Sequence, residues 1–256
     1  MVGGRAPGGA DGGTGGSVGG GGDGGRGAGR GADVSAGLSV GVGAARILTG
    51  VAVIVVLLWT YVLGIEQDGA NPFNYFGYFT NLTSLLTALV LIAAGWRTLA
   101  GRGHPAWLTA ARAVAASCMV IVAVIYNTLI PGTGSAPAWV SAILHAIFPA
   151  LVLFDWLLVG DRAPLPWRRL WVVLPYPILW LCVVLLRGVT DGWVPYGFLL
   201  PANGVPSLLG HIALLLAALF AAAALVWALS RVRGLRGVRV APAAQHAPNS
   251  NWDRGR

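Results

Sequence analysis

Apolar residues gather into six long stretches separated by short polar connections. Ile47 to Ile65 carries no charge, and Phe73 to Gly95 runs for 23 residues without one. Ala113 to Ile130 follows, then Ala136 to Phe154, which Asp155 to Leu158 completes. Leu170 to Leu186 is shorter and holds Pro175 and Pro177, and Pro206 to Ser230 closes the series. At 1.5 Å per residue each is long enough to cross roughly 30 Å of hydrocarbon as a helix. An open sheet cannot satisfy its backbone in lipid, so the pattern predicts helices. The two prolines predict a kink or local opening in the fifth. The fold class is all-α, a polytopic membrane bundle of six transmembrane helices.

Composition agrees. The 256-residue chain is 56% hydrophobic and 10% charged, against roughly 25% charged in a soluble domain, which excludes a soluble globular enzyme. Of the 38 glycines, 17 fall in the first 31 positions. Residues 1–40 therefore read as a disordered Gly-rich tail, 41–233 as the membrane domain and 234–256 as a basic cytoplasmic tail. The first apolar run begins too late for a signal peptide.

All 17 basic residues are Arg, and their placement orients the bundle. The N-terminal tail holds Arg5, Arg26, Arg30 and Arg46. The second connection holds Arg97, Arg102 and Arg112, the fourth holds Arg162, Arg168 and Arg169, and the C-terminal tail holds six. The first and third connections hold none, and the fifth only Arg187. This alternation predicts an even number of spans with both termini cytoplasmic in a cell membrane. The same scatter, without interleaved aromatics, excludes nucleic acid as a partner despite a net charge of +8. Cys118 and Cys182 sit inside apolar runs and read as small hydrophobes. No metal ligand spacing, phosphate cradle or nucleophile elbow is present, and no cofactor is implied.

Depth along the helices then isolates the polar groups. Counted from Phe73, Thr80 lies roughly 10 Å from the outer boundary, and His145 at roughly 10–13 Å from its own helix start. Asn127, Arg187, Asp191 and His211 join the same layer, with Asp191 beside Arg187. Trp193 and Tyr196 read as outer-interface anchors. Thr80, Thr83, Ser84 and Thr87 share one helix face. Thr80 and His145 are expected to face one another across a cavity in the outer half of the bundle, which turns that face inward. Asp155 reads as pairing with Arg162 or as lying at the inner interface, and His104 as a loop residue. Ionisable groups at such depth mark a functional hypothesis.

Several segments are similar to one known family. Asn74-Tyr75-Phe76-Gly77-Tyr78-Phe79-Thr80 resembles the aromatic-Leu-Thr segment of the androgen-induced and androgen-dependent multi-pass membrane hydrolases. Pro137-Ala138-Trp139-Val140, with Leu144-His145 and Pro149, resembles their Pro-x-Trp-Leu…Met-His…Pro segment. Ile178-Leu179-Trp180 and the run from Val189 to Tyr196 resemble their Ile-Leu-Trp and Val-Thr-Gly-x-Trp-Val-Tyr-Pro segments. The likeness covers roughly residues 74–200. Asn81 stands where that family has an aromatic residue, and Pro149 comes one position early. The chain also looks like the actinobacterial six-span membrane proteins. The resemblance implies cleavage of fatty-acid esters of hydroxy fatty acids, with Thr80 as nucleophile and His145 as general base. Asn81, Asn127 and Arg187 are then the candidate oxyanion or substrate-binding donors, because backbone N–H groups inside a helix are already bonded. Two other classes stand beside this one. The first is a non-catalytic lipid or small-molecule binder on the same bundle, with membrane lipid as partner. The second is a transporter, disfavoured by the absence of paired broken helices.

Overall fold

The computed structural model describes residues 24–132 and 136–234, and among them there is no β-strand. Six stretches are long and apolar enough to cross a membrane: Ser35–Glu66, Phe79–Leu99, Ala106–Leu129, Ala138–Leu158, Trp167–Thr190 and Val205–Leu229. The chain is a multi-pass integral membrane protein. The expected tails fall largely outside the described residues, at 1–23 and 235–256. The first helix, α1 (Gly24–Asp68), already runs through residues 24–40, which the glycine content had assigned to the tail. Propagating an existing helix adds one hydrogen bond per residue without a new nucleus. In that stretch, a Cβ at Gly37 would meet nothing within 4 Å.

Small residues set the tightest helix pair. α1 lies against α3 (Phe79–Leu99) through Gly43, Gly50 and Gly95. A Cβ at Gly95 would stand 2.6 Å from the Gly43 carbonyl, and one at Gly50 would stand 2.7 Å from the Ala88 carbonyl. Glycine lets the two backbones touch, as small residues do between membrane helices. Around this pair stand α4 (Ala106–Leu129), the span built from α5 (Ala138–Ala142) and α6 (Phe148–Leu158), and α8 (Val205–Leu229). Leu57, Ala88, Met119, Phe148, Trp156 and Trp227 fill the interior. The remaining helix, α7 (Pro175–Thr190), buries only Val184 and stands at the edge.

Three joints differ from the hydropathy reading. The second span starts at Phe79 rather than Phe73. Asn71 caps a separate one-turn helix, α2 (Pro72–Tyr75), by accepting the Phe73 N–H at 2.9 Å. The chain then turns at Gly77, where a Cβ would collide with Trp193 and the Phe73 carbonyl. In the fifth span Pro175 and Pro177 do not kink a continuous helix. They occupy the first turn of α7, just after a 3₁₀ segment at Trp167–Val173, where a missing N–H costs nothing.

The third joint is a π turn, Ile143–Ile147, between α5 and α6. Pro149 has no N–H to give the His145 carbonyl four residues back. Asn127 Nδ2 donates to that carbonyl instead, at 3.1 Å. The Phe148 N–H reaches back five residues to Ile143. Such turns relieve a broken i→i−4 ladder.

Candidate functional site

The six passes leave two polar regions, one at each end of the bundle. At the end where α3 begins and α7 finishes, a cavity of about 90 Å³, open on one side, lies between α4, α7 and α8. Ile121, Val122, Ile125 and Tyr126 of α4 line it, with Pro177, Ile178 and Leu181 of α7 and Ile212, Leu215, Leu216 and Leu219 of α8. Phe79, Thr80, Tyr196 and Phe198 close its polar end. No charged side chain is among the lining residues. A hydrocarbon chain would meet hydrocarbon on every side but one.

Thr80 is half-buried in the first turn of α3, not two turns inside it. It lies beside the Tyr196 phenol at the cavity's polar end, and that phenol accepts the Phe79 N–H at 3.1 Å. Burial pushes the Tyr196 phenol up to about 12, against the opposing pull of Thr80 and Phe79. Thr80 therefore faces a neutral phenol, which is no general base near pH 7. The position also corrects the expectation about backbone donors. The first turn of a helix carries N–H groups with no partner four residues back.

His145 is not among the cavity-lining residues. Its ring lies flat against Tyr126, with centroids 3.5 Å apart and planes 11° apart, and Tyr126 forms the cavity wall. Its Nδ1 donates to the Ser141 carbonyl at 2.9 Å. That bond leaves Nε2 unprotonated in the neutral ring. The bonds of His145 thus run to Ser141 and Asn127, while Thr80 lies beside Tyr196.

The three candidate oxyanion donors hold other groups. Asn81 Nδ2 donates to the Tyr75 carbonyl at 2.9 Å, which fastens α2 to α3. Asn127 donates to the carbonyls of Ala123 and His145. Arg187 donates to Asp191 at 2.8 Å, to the Phe73 carbonyl and to Asn74 Oδ1, and its guanidinium lies 4.2 Å from the Trp193 ring centre. The expected Arg187–Asp191 pair is present, and this bond holds the exposed Asp191 carboxyl below its usual range. Together they form a strap over the aromatic end, continued by Tyr78, Trp193 and Tyr196 edge to face. His211 stacks on Phe198 and bonds the Ser207 carbonyl.

The opposite end holds a buried ionic knot that hydropathy did not reveal. Arg46 of α1 bonds Asp155 at 2.7 Å, Asp161 at 2.6 Å and Thr98 at 3.1 Å. Arg112 of α4 bonds Asp155 at 2.8 Å and Asp161 at 2.9 Å. Asp155 therefore pairs with Arg46 and Arg112 and not with Arg162, which donates to the Val159 and Leu229 carbonyls. His104, read as a loop residue, has a side chain 1% exposed. Its Nδ1 accepts from Arg112 at 3.0 Å, so Nε2 carries the proton toward the Ala94 carbonyl. Burial lowers the His104 pKa, and Arg112 and Arg46 lower it further against the pull of Asp161. Burial alone would raise the Asp161 carboxyl, but the two guanidiniums hold it far below its ordinary value. Arg46 and Arg112 had been read only as topology markers. The one available signal was that two Asp residues stand among three arginines in a chain with few charges.

Neither protein-family models, nor curated proteins, nor solved structures give a match to this chain.

Proposed function

We propose that this protein binds a single-chain lipid within the membrane, taking the chain into the cavity between α4, α7 and α8. One observation carries the reading: an uncharged, hydrocarbon-lined cavity ends at a pair of hydroxyls, Thr80 and Tyr196. Convergent polar atoms at one end of an apolar pocket orient an amphiphile. The bundle lies in the cell membrane with both termini cytoplasmic. Among the described residues, Arg46, Arg97, Arg102, Arg112, Arg162, Arg168 and Arg169 crowd one end and Arg187 alone occupies the other, which supports this orientation. In a Cys182→Ala background, Ala70→Cys should react with an impermeant thiol reagent from outside and Arg102→Cys only after permeabilisation. The reverse pattern inverts the model.

The binding test is a melting curve of purified, delipidated protein with oleic acid or monoolein. Tm should rise with ligand concentration, as binding to the folded state requires, and Leu216→Trp, which fills the cavity, should abolish the rise. No rise with either lipid overturns the reading.

A second reading, hydrolysis of a fatty-acid ester by Thr80, is favoured by its hydroxyl on the cavity wall and by the family resemblance. It requires His145 to act from behind Tyr126. A fluorophosphonate probe should then label Thr80, with loss in Thr80→Ala and His145→Ala. Labelling that persists in Thr80→Ala, or none at all, leaves binding alone.

A further inference from the structure

Between α3, α4 and α6, beside the ionic knot and separate from the lipid cavity, lies a second and much smaller void. The space open to the centre of a water-sized sphere is about 10 Å³, roughly what one water needs. Thr87, Arg112 and Asp155 supply its polar lining, and Val152 and Trp156 are among its apolar walls.

Thr87 is 1% exposed, and its hydroxyl has no hydrogen-bond partner in the protein. Three other helical threonines show one alternative it forgoes. Thr60 bonds the Val56 carbonyl at 2.7 Å, Thr98 the Ala94 carbonyl at 2.9 Å and Thr128 the Val124 carbonyl at 2.6 Å. Each turns back on its own helix, the ordinary refuge of a hydroxyl in an apolar setting. Thr87 does not. A buried hydroxyl left unpaired costs more than the bond it declines. Asp155 has lone pairs beyond the two it offers Arg46 and Arg112.

We propose that the void is a binding site for one water molecule, which joins the Thr87 hydroxyl to the Asp155 carboxylate beside Arg112. The water carries two protons and two lone pairs, enough for both partners with one position over. It gives the four charged side chains a second tie to α3 beside the Arg46–Thr98 bond, one helical turn from Thr83 and its bond to Tyr176.

The sign of one substitution distinguishes a wet void from a dry one. Thr87→Val keeps the shape and removes the hydroxyl. If the water is present, the variant leaves it short of a partner, and Tm falls by about 2–4 °C. Thr87→Ser should recover most of that loss. If the void is dry, removing an unpaired hydroxyl leaves Tm unchanged or raises it, and the proposal fails. A second measurement does not depend on stability. X-ray radiolysis in H₂¹⁸O converts a bound water into a local oxidant. Trp156 and Trp227 are equally buried, at 1% exposure each, but only Trp156 lines the void. Trp156 should be oxidised several-fold more than Trp227, and Thr87→Val should remove the difference. Equal oxidation in the wild-type protein overturns the site.

Discussion

Pro149 and Asn127 show one residue's missing atom answered by another residue's side chain. The proline removes a donor from the His145 carbonyl, and Asn127 replaces it across two helices. The pair is therefore coupled. Asn127→Ala should lower stability by about 1 kcal/mol. It should lower it much less in a Pro149→Ala background, where the backbone regains an N–H at that position. A double-mutant cycle on Tm or on denaturant midpoint measures this, and additive effects would refute it. His145 is then held by its backbone as much as by its ring, because the π turn sets the direction in which the imidazole leaves the helix. At this scale the Thr and Ser face of α3 was legible: Thr83, Ser84 and Thr87 are all buried, as the spacing required. The depth of Thr80 was not, because counting from Phe73 assumed a helix that Gly77 interrupts.

Among the elements, the six spans followed from hydropathy, since length and the absence of charge suffice to define them. Their joints did not. The break before α3 depends on Trp193, more than a hundred residues away, pressing on Gly77. The 3₁₀ entry into α7 is one of several outcomes two prolines allow. The α1–α3 seam was equally hidden, because glycine in a helix reads only as a weak helix former until its partner is known. Gly95→Val places a side chain where a Cβ alone would approach the Gly43 carbonyl to 2.6 Å. Overpacking of this kind should destabilise by about 1–3 kcal/mol. Gly37→Val, on the same helix as Gly43 but with open space around it, should leave Tm within error. Equal effects at the two positions would show that helix propensity rather than contact decides.

Over the whole molecule, the ionic knot ties α1, α3, α4 and α6 at one end, and its members come from segments as far apart as Arg46 and Asp161. No local pattern can announce such a cluster, so the arginines looked like topology markers alone. Its pH response follows from His104, which faces Arg112, Arg46 and Asp161. A group whose folded pKa is lowered gives its full stability above its unfolded value, near 6.5, and loses it as pH falls below that. Purified protein should therefore melt at falling temperature from pH 7 to pH 5, and His104→Gln should flatten the slope. Asp161, also lowered, acts only below about pH 4. An unchanged slope in His104→Gln would refute the assignment. The opposite end is built differently. There α7 forms one wall of the apolar cavity while burying a single residue, Val184. Leu179, Leu186 and Val189 face outward at 66%, 63% and 81% exposure. Acyl chains of the surrounding bilayer thus press on the outside of the same helix whose inside bounds the cavity. Lateral pressure acts on that wall directly, so the capacity of the cavity is set jointly by the protein and by the thickness and order of the membrane around it.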